Sequence, residues 1–179
     1  MHIIGIIIAV ASAIFWISRA ARGARDVADA ASGLKNLPRR MKFKKNASKR
    51  GIDLIDNPME AATILMVCVA RLSDYSQSHD GLISPETQNR IIEILKSYMK
   101  ISGGEADELL TQMRWTVKDL VQPETALVPM TNILTGQINR AEADDLSDML
   151  RKISHTGGQP NGEQRTFIDR FRERTGLKG

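Results

Sequence analysis

Hydrophobic and polar positions divide this chain into three stretches. Ile3 to Ile17 is apolar throughout apart from Gly5 and Ser12, and Arg19, Arg22 and Arg25 follow at once. From Lys35 to Arg50 there are eight cations (Lys35, Arg39, Arg40, Lys42, Lys44, Lys45, Lys49 and Arg50) and no carboxylate. After Gly51 apolar residues recur at helical spacing, and no convincing period-two strand is found, so the predicted fold class is all-α.

The helix signals are local. Asn57-Pro58-Met59-Glu60 places an N-cap before a first-turn proline, with Glu60 at the capping-box position. Ala61 to Ala70 is then almost wholly apolar. It is too short to span a bilayer and predicts a central helix buried on most of its circumference. Ser84-Pro85-Glu86 starts a second helix with Ile91, Leu95 and Tyr98 inward and Ile92 and Met99 beside them. Ser102-Gly103-Gly104 breaks it. A third helix follows with Leu109, Leu110, Met113, Val117, Leu120 and Val121 inward. Pro123 and Pro129 predict a short helical turn and then a helix near 131–139. Ala143, Leu146, Leu150 and Ile153 stripe the next helix, with Glu142, Asp144, Asp145 and Asp148 on or near its wet face. A Gly157-Gly158 loop leads to a last helix with Phe167, Ile168 and Phe171, stopping at Gly176.

The first stretch reads as a single-pass transmembrane anchor, residues 1–18. A spanning helix needs roughly 20 apolar residues, with a lower limit of about 17. Arginine snorkelling and local bilayer thinning meet the shortfall. Trp16 lies where an interfacial aromatic belt forms, and the positive flank puts the N-terminus outside and the remainder in the cytoplasm, at the inner membrane. A signal peptide or an interfacial helix are the alternatives, but Met1-His2 offers no positive n-region. Gly5, Ala9 and Ala13 share one helix face and would allow close approach in a homodimer, unless their spacing is chance. Residues 19–54 read as a basic tether. Each cation near the surface contributes about 1 kcal/mol of attraction to anionic lipid. A solvated linker with no lipid contact is the other reading. Residues 55–177 form one helical domain.

Charge sharpens this division. Residues 1–50 carry 11 basic and 2 acidic side chains, whereas residues 51–179 carry 14 basic and 19 acidic. The high isoelectric point belongs to the tether, so a nucleic-acid partner does not follow from it. The lone Cys68 excludes an internal disulfide and a cysteine-built zinc site, and its apolar setting makes it a buried small hydrophobe. The three histidines have no HExxH or HxxxH spacing, and no phosphate loop, GxSxG or CxxC is present. An ordinary enzyme is not favoured.

The most specific local pattern is His79-Asp80-Gly81-Leu82-Ile83-Ser84-Pro85-Glu86. Asp80-Gly81 sets a tight turn, Ile83 anchors it to the core, and Ser84 caps the next helix. Asp80 and Glu86 could offer oxygen ligands to calcium or magnesium. Against an EF-hand with Gly81 at the sixth position, Asp80 and Ile83 fit, but Ser76, Ser78 and Thr87 stand at ligand positions and the bidentate glutamate is missing. The turn-and-cap reading therefore stands beside the metal reading. A weaker second copy is Gln159-Pro160-Asn161-Gly162-Glu163, with Asn161-Gly162 standing where the first has Asp80-Gly81.

An apolar, small-residue helix, then Asp-Gly-x-Ile-Ser-Pro-Glu, then an amphipathic helix, with a second Gly-led helix start, resembles the tellurite-resistance TerB-like helical domain. That domain also forms the N-terminal cytoplasmic part of membrane-anchored DnaJ-like co-chaperones of the DjlA type. The resemblance covers residues 55–177. It implies a bundle of about seven helices, divalent metal at acidic residues including Asp80 and Glu86, and a role near membranes in tellurite or envelope stress. Thr87 stands where the family often has a glutamate, and Asn161 replaces the usual aspartate. With no His-Pro-Asp triplet, stimulation of an Hsp70 ATPase is not expected. The expected function is a non-enzymatic, membrane-tethered interaction module for an unidentified protein partner. The alternatives are a metal-dependent hydrolase using the acidic loop, or a structural organiser of membrane proteins.

Overall fold

The apolar stretch becomes the axis of the fold. In the computed structural model, which describes residues 51–177, α1 runs over Pro58–Arg71, and every residue from Ala61 to Ala70 is at most 1% exposed. A helix without a wet face must be covered all round. It contacts α2 (Asp74–Ser78), α3 (Pro85–Met99), α4 (Gly103–Thr116), α5 (Leu127–Thr135), α6 (Arg140–Ser154) and α7 (Gly162–Arg174). A 3-10 turn, Pro123–Ala126, also packs on it. The described residues thus form seven α-helices around one core and contain no strand, so they are all-α. None of these helices is long and apolar enough to cross a membrane. The proposed anchor 1–18, the dimerisation face Gly5, Ala9 and Ala13, and the cations Lys35 to Arg50 lie outside the described residues. Another 3-10 turn, Gly51–Leu54, falls in the segment read as the end of the tether, and Ile52 and Ile55 pack against the core.

Helix starts follow the local signals closely. Asn57 caps α1, its Oδ1 accepting from Met59 N at 2.8 Å. Ser84 caps α3 by accepting from Thr87 N at 3.1 Å. The Ser102-Gly103-Gly104 break is itself a start: Ser102 and Glu105 form a capping box and both glycines lie in the first turn of α4. The preceding helix ends because Lys100 turns left-handed, at φ 54°. At the other end of the chain Gly176, at φ 72°, closes α7 as expected.

Three side-chain assignments and one helix boundary change. The inner face of α3 is centred on Ile91, Ile94 and Leu95, with Tyr98 only partly buried. Val121 is 93% exposed, because α4 stops at Thr116 and the chain leaves the helical phase before reaching it. The helix expected near 131–139 starts at Leu127, since Pro129 occupies its first turn, where a missing N–H costs nothing. Glu142 is 2% exposed instead of wet, because it closes a capping box by accepting from Asn139 N at 2.8 Å.

Two consequences of the buried axis are measurable. Leu65, wholly buried in α1, should lose about 3 kcal/mol on Leu65→Ala, read as a lower urea midpoint. A shift within the error of a surface substitution would contradict the central placement of α1. Cys68 is also wholly buried, and burial pushes its thiol from 9.0 up to about 12, with Arg71 opposing and Glu124 adding. The unfolded chain releases this proton near pH 9 and the folded chain holds it. This stability term is therefore complete below pH 9 and is lost as pH rises from 9 towards 12. Stability of Cys68→Ala should fall less steeply over that range; parallel curves would refute the assignment.

Candidate functional site

The end of α1 organises the surface that follows. Arg71, its last residue, reaches across to α4: Nη1 donates to the Val117 carbonyl at 2.5 Å and Nη2 to the Leu120 carbonyl at 2.8 Å. Val117 O also accepts from Leu120 N at 3.1 Å, so the guanidinium ties down the turn that follows α4. The turn after α2 closes on the same side chain. His79 ends α2, then Asp80 at φ 50° and Gly81 at φ 76° are both left-handed. Gly81 N donates to Ser76 O at 2.9 Å, and a Cβ on Gly81 would meet Arg71 Nη2 at 3.4 Å. Gly81 therefore serves both the backbone conformation and the close approach of the guanidinium. Ile83, 5% exposed, pins the far side of the turn to the core.

This tie opens a cleft of about 360 Å³ between the Asp80-Gly81 turn and α4. Arg71, Arg114 and Lys118 bring three cations to its wall and Asp80 the one carboxylate. Trp115 and Leu82 stand on its rim, 65% and 58% exposed. Lys118 Nζ sits 4.3 Å from the centre of the Trp115 ring, a cation–π contact. Arg114 is oriented by Gln88 Oε1 at 2.9 Å, and Gln88 Nε2 in turn donates to Ile83 O at 2.8 Å. Sequence reasoning overlooked this cluster. Its signal was the phase of α4: Thr111, Trp115 and Lys118 lie off the Leu110–Met113–Val117 face, which leaves a tryptophan pointing outward.

The acidic pair behaves differently. Asp80 borders this cleft, whereas Glu86, in the first turn of α3, borders another with Arg90, Arg151, Lys152 and His155. Among the described residues no group of three or more His, Cys, Asp and Glu side chains comes together to hold a metal. Both described histidines serve helix ends. His79 Nδ1 donates to Tyr75 O at 2.7 Å, with the two rings stacked 4.1 Å apart, and His155 Nδ1 donates to Arg151 O at 2.8 Å.

The second copy meets the first at the end of α1. Asn161 caps α7 in a capping box with Gln164, so it takes the role of Ser84 and not that of Asp80. Its Nδ2 donates to Leu72 O and Asp74 Oδ1, both at 2.7 Å. Gln164 Nε2 donates to Val69 O at 3.0 Å, and Gln77 Nε2 to Glu163 Oε2 at 2.6 Å. Val69 O in the last turn of α1 and Leu72 O just past it are thereby satisfied from α7 and its cap.

Removing the tie should destabilise the domain and loosen the cleft. Arg71→Gln is expected to cost about 2–3 kcal/mol, the range for charged hydrogen bonds left with partly buried partners. Gly81→Ala should cost about 1 kcal/mol or more through its left-handed backbone. Urea unfolding of both variants checks this, and a midpoint equal to that of the unmodified chain would rule out the tie.

Compared with family models, with curated proteins and with solved structures, the chain matches none.

Proposed function

We propose that this chain is a membrane-tethered, non-enzymatic interaction module of TerB-like architecture. Residues 1–18 anchor it, the cations between Lys35 and Arg50 hold it to anionic lipid, and the helical domain works in the cytoplasm by contact. The observation that carries the reading is the exposed Leu82–Trp115 rim over a cation-lined cleft. Large apolar side chains held in the open beside fixed charges are characteristic of recognition surfaces. Elsewhere the exterior is rich in carboxylates, including the exposed Asp107, Glu108, Asp144 and Asp148, which suits a protein partner bearing complementary charge. Close approach of two anchors through Gly5, Ala9 and Ala13 would make the module a homodimer.

Service in tellurite or envelope stress rests on the resemblance over residues 55–177 alone. Calcium or magnesium gating at Asp80 and Glu86 has less support, since the two side chains border different clefts. Hydrolase chemistry gains nothing from His79 and His155, whose Nδ1 atoms are engaged with helix carbonyls.

Fractionation of cells expressing the full chain tests the reading. The chain should stay in the membrane pellet after an alkaline carbonate wash, with its N-terminal residues intact by mass and its C-terminal domain shielded from protease in sealed cells. Release by carbonate, or loss of the first residues by cleavage, would contradict it.

A further inference from the structure

We infer that the Leu82–Trp115–Val121 face is a second membrane contact, which seats the helical domain directly on anionic lipid. The inference rests on the tether proposed above and adds which face of the domain turns to the bilayer.

Three observations converge on it. The first is shape and chemistry. Leu82, Trp115 and Val121 are 58%, 65% and 93% exposed, and Lys118, which lies over the Trp115 ring, borders both the cleft of Leu82 and Trp115 and the adjoining groove of Val121. Apolar tips beside cations are what a bilayer interface accepts: the tips enter the headgroup region, tryptophan most readily, and the cations meet lipid phosphates. The second is charge. The cleft carries Arg71, Arg114 and Lys118 against Asp80, whereas residues 51–179 as a whole carry 14 basic and 19 acidic side chains. This cleft is thus a positive place on a negative domain. The adjoining groove carries Asp119, Glu124 and Glu163, so the cleft end of the face makes the anionic contact.

The third is where the chain enters. Gly51, at φ 59°, lies close on α4: a Cβ there would stand 3.3 Å from the carbonyl oxygen of Thr116. The basic segment therefore joins the domain at the last residue of α4, one position past Trp115, and Lys49 and Arg50 immediately precede that junction. Only 32 residues, 19–50, separate the proposed anchor from Gly51, which keeps the domain at high effective concentration near lipid. A weak contact then suffices, and the face beside the tether junction is the one best placed to make it. This position favours lipid over an acidic protein segment, which would recognise similar side chains.

Trp115 reports on the contact directly. Trp16→Phe leaves it the sole tryptophan of the full chain. The chain is reconstituted in vesicles of phosphatidylcholine with and without phosphatidylglycerol, and vesicle flotation confirms attachment. With phosphatidylglycerol, Trp115 emission should shift to shorter wavelength and be quenched by lipids brominated high on their acyl chains. Both effects should disappear in Lys118→Glu and weaken in Val121→Ser, exposed positions whose substitution leaves the core intact. Chain that floats while Trp115 keeps water-like emission and full access to aqueous iodide would overturn this inference and leave the anchor standing. Chain that fails to float would overturn both. Shielding of Trp115 by a synthetic glutamate–leucine peptide, with no quenching by brominated lipid, would also overturn it and assign the face to an acidic protein segment.

Discussion

Complete burial of one helix constrains everything else in this domain. From Ala61 to Ala70, α1 offers no side chain to water, so the other helices must enclose it. Small residues at Ala61, Ala62 and Ala70 let neighbours come close, while Ile64, Leu65 and Met66 fill the space between them. Interiors pack at near-crystalline density, so such an axis tolerates few changes in volume. Polar groups at its ends must then be satisfied by other elements. Asn57 caps the start, and Asn161 and Gln164 from α7 close the end.

Arg71 converts this buried axis into a surface feature. It is the first side chain of α1 after the apolar run that can reach water, and its bonds to Val117 and Leu120 fix the end of α4 beside the Asp80-Gly81 turn. Leu82 and Trp115 stand out on either side of the resulting cleft. Leu82 sits in the α2–α3 loop and Trp115 on α4, and the Arg71 bonds and the buried Ile83 hold the two in a fixed relation. That rigidity matters for binding, because a surface already in its bound shape loses little conformational freedom on contact.

Much of this was legible in short sequence signals. Asn57-Pro58, Ser84-Pro85 and the glycine at 176 mark helix ends by chemistry that needs no tertiary context, and the apolar Ala61–Ala70 run announces its own burial. What was hidden depended on phase or on partners distant in sequence. Val121 reads as core only if α4 continues past Thr116. Glu142 reads as wet until its bond to Asn139 is known. Asn161-Gly162 looks like Asp80-Gly81 as a string, yet Asn161 acts as a helix cap, as Ser84 does. The cleft was invisible because Arg71 and Val117 are brought together only by the packing of α4 on α1, and no local pattern encodes that.

Amide hydrogen exchange of the full chain, compared between detergent micelles and phosphatidylglycerol-containing vesicles, tests the central claim most directly. The claim is that a rigid bundle built on α1 presents its Trp115 face to lipid. Residues 61–70 should exchange slowest in both settings, and vesicles should add protection at 81–83 and 114–121 while leaving the acidic outer side of α6 unchanged. Fast exchange along α1, or new protection on α6 in place of the Trp115 face, would contradict the account.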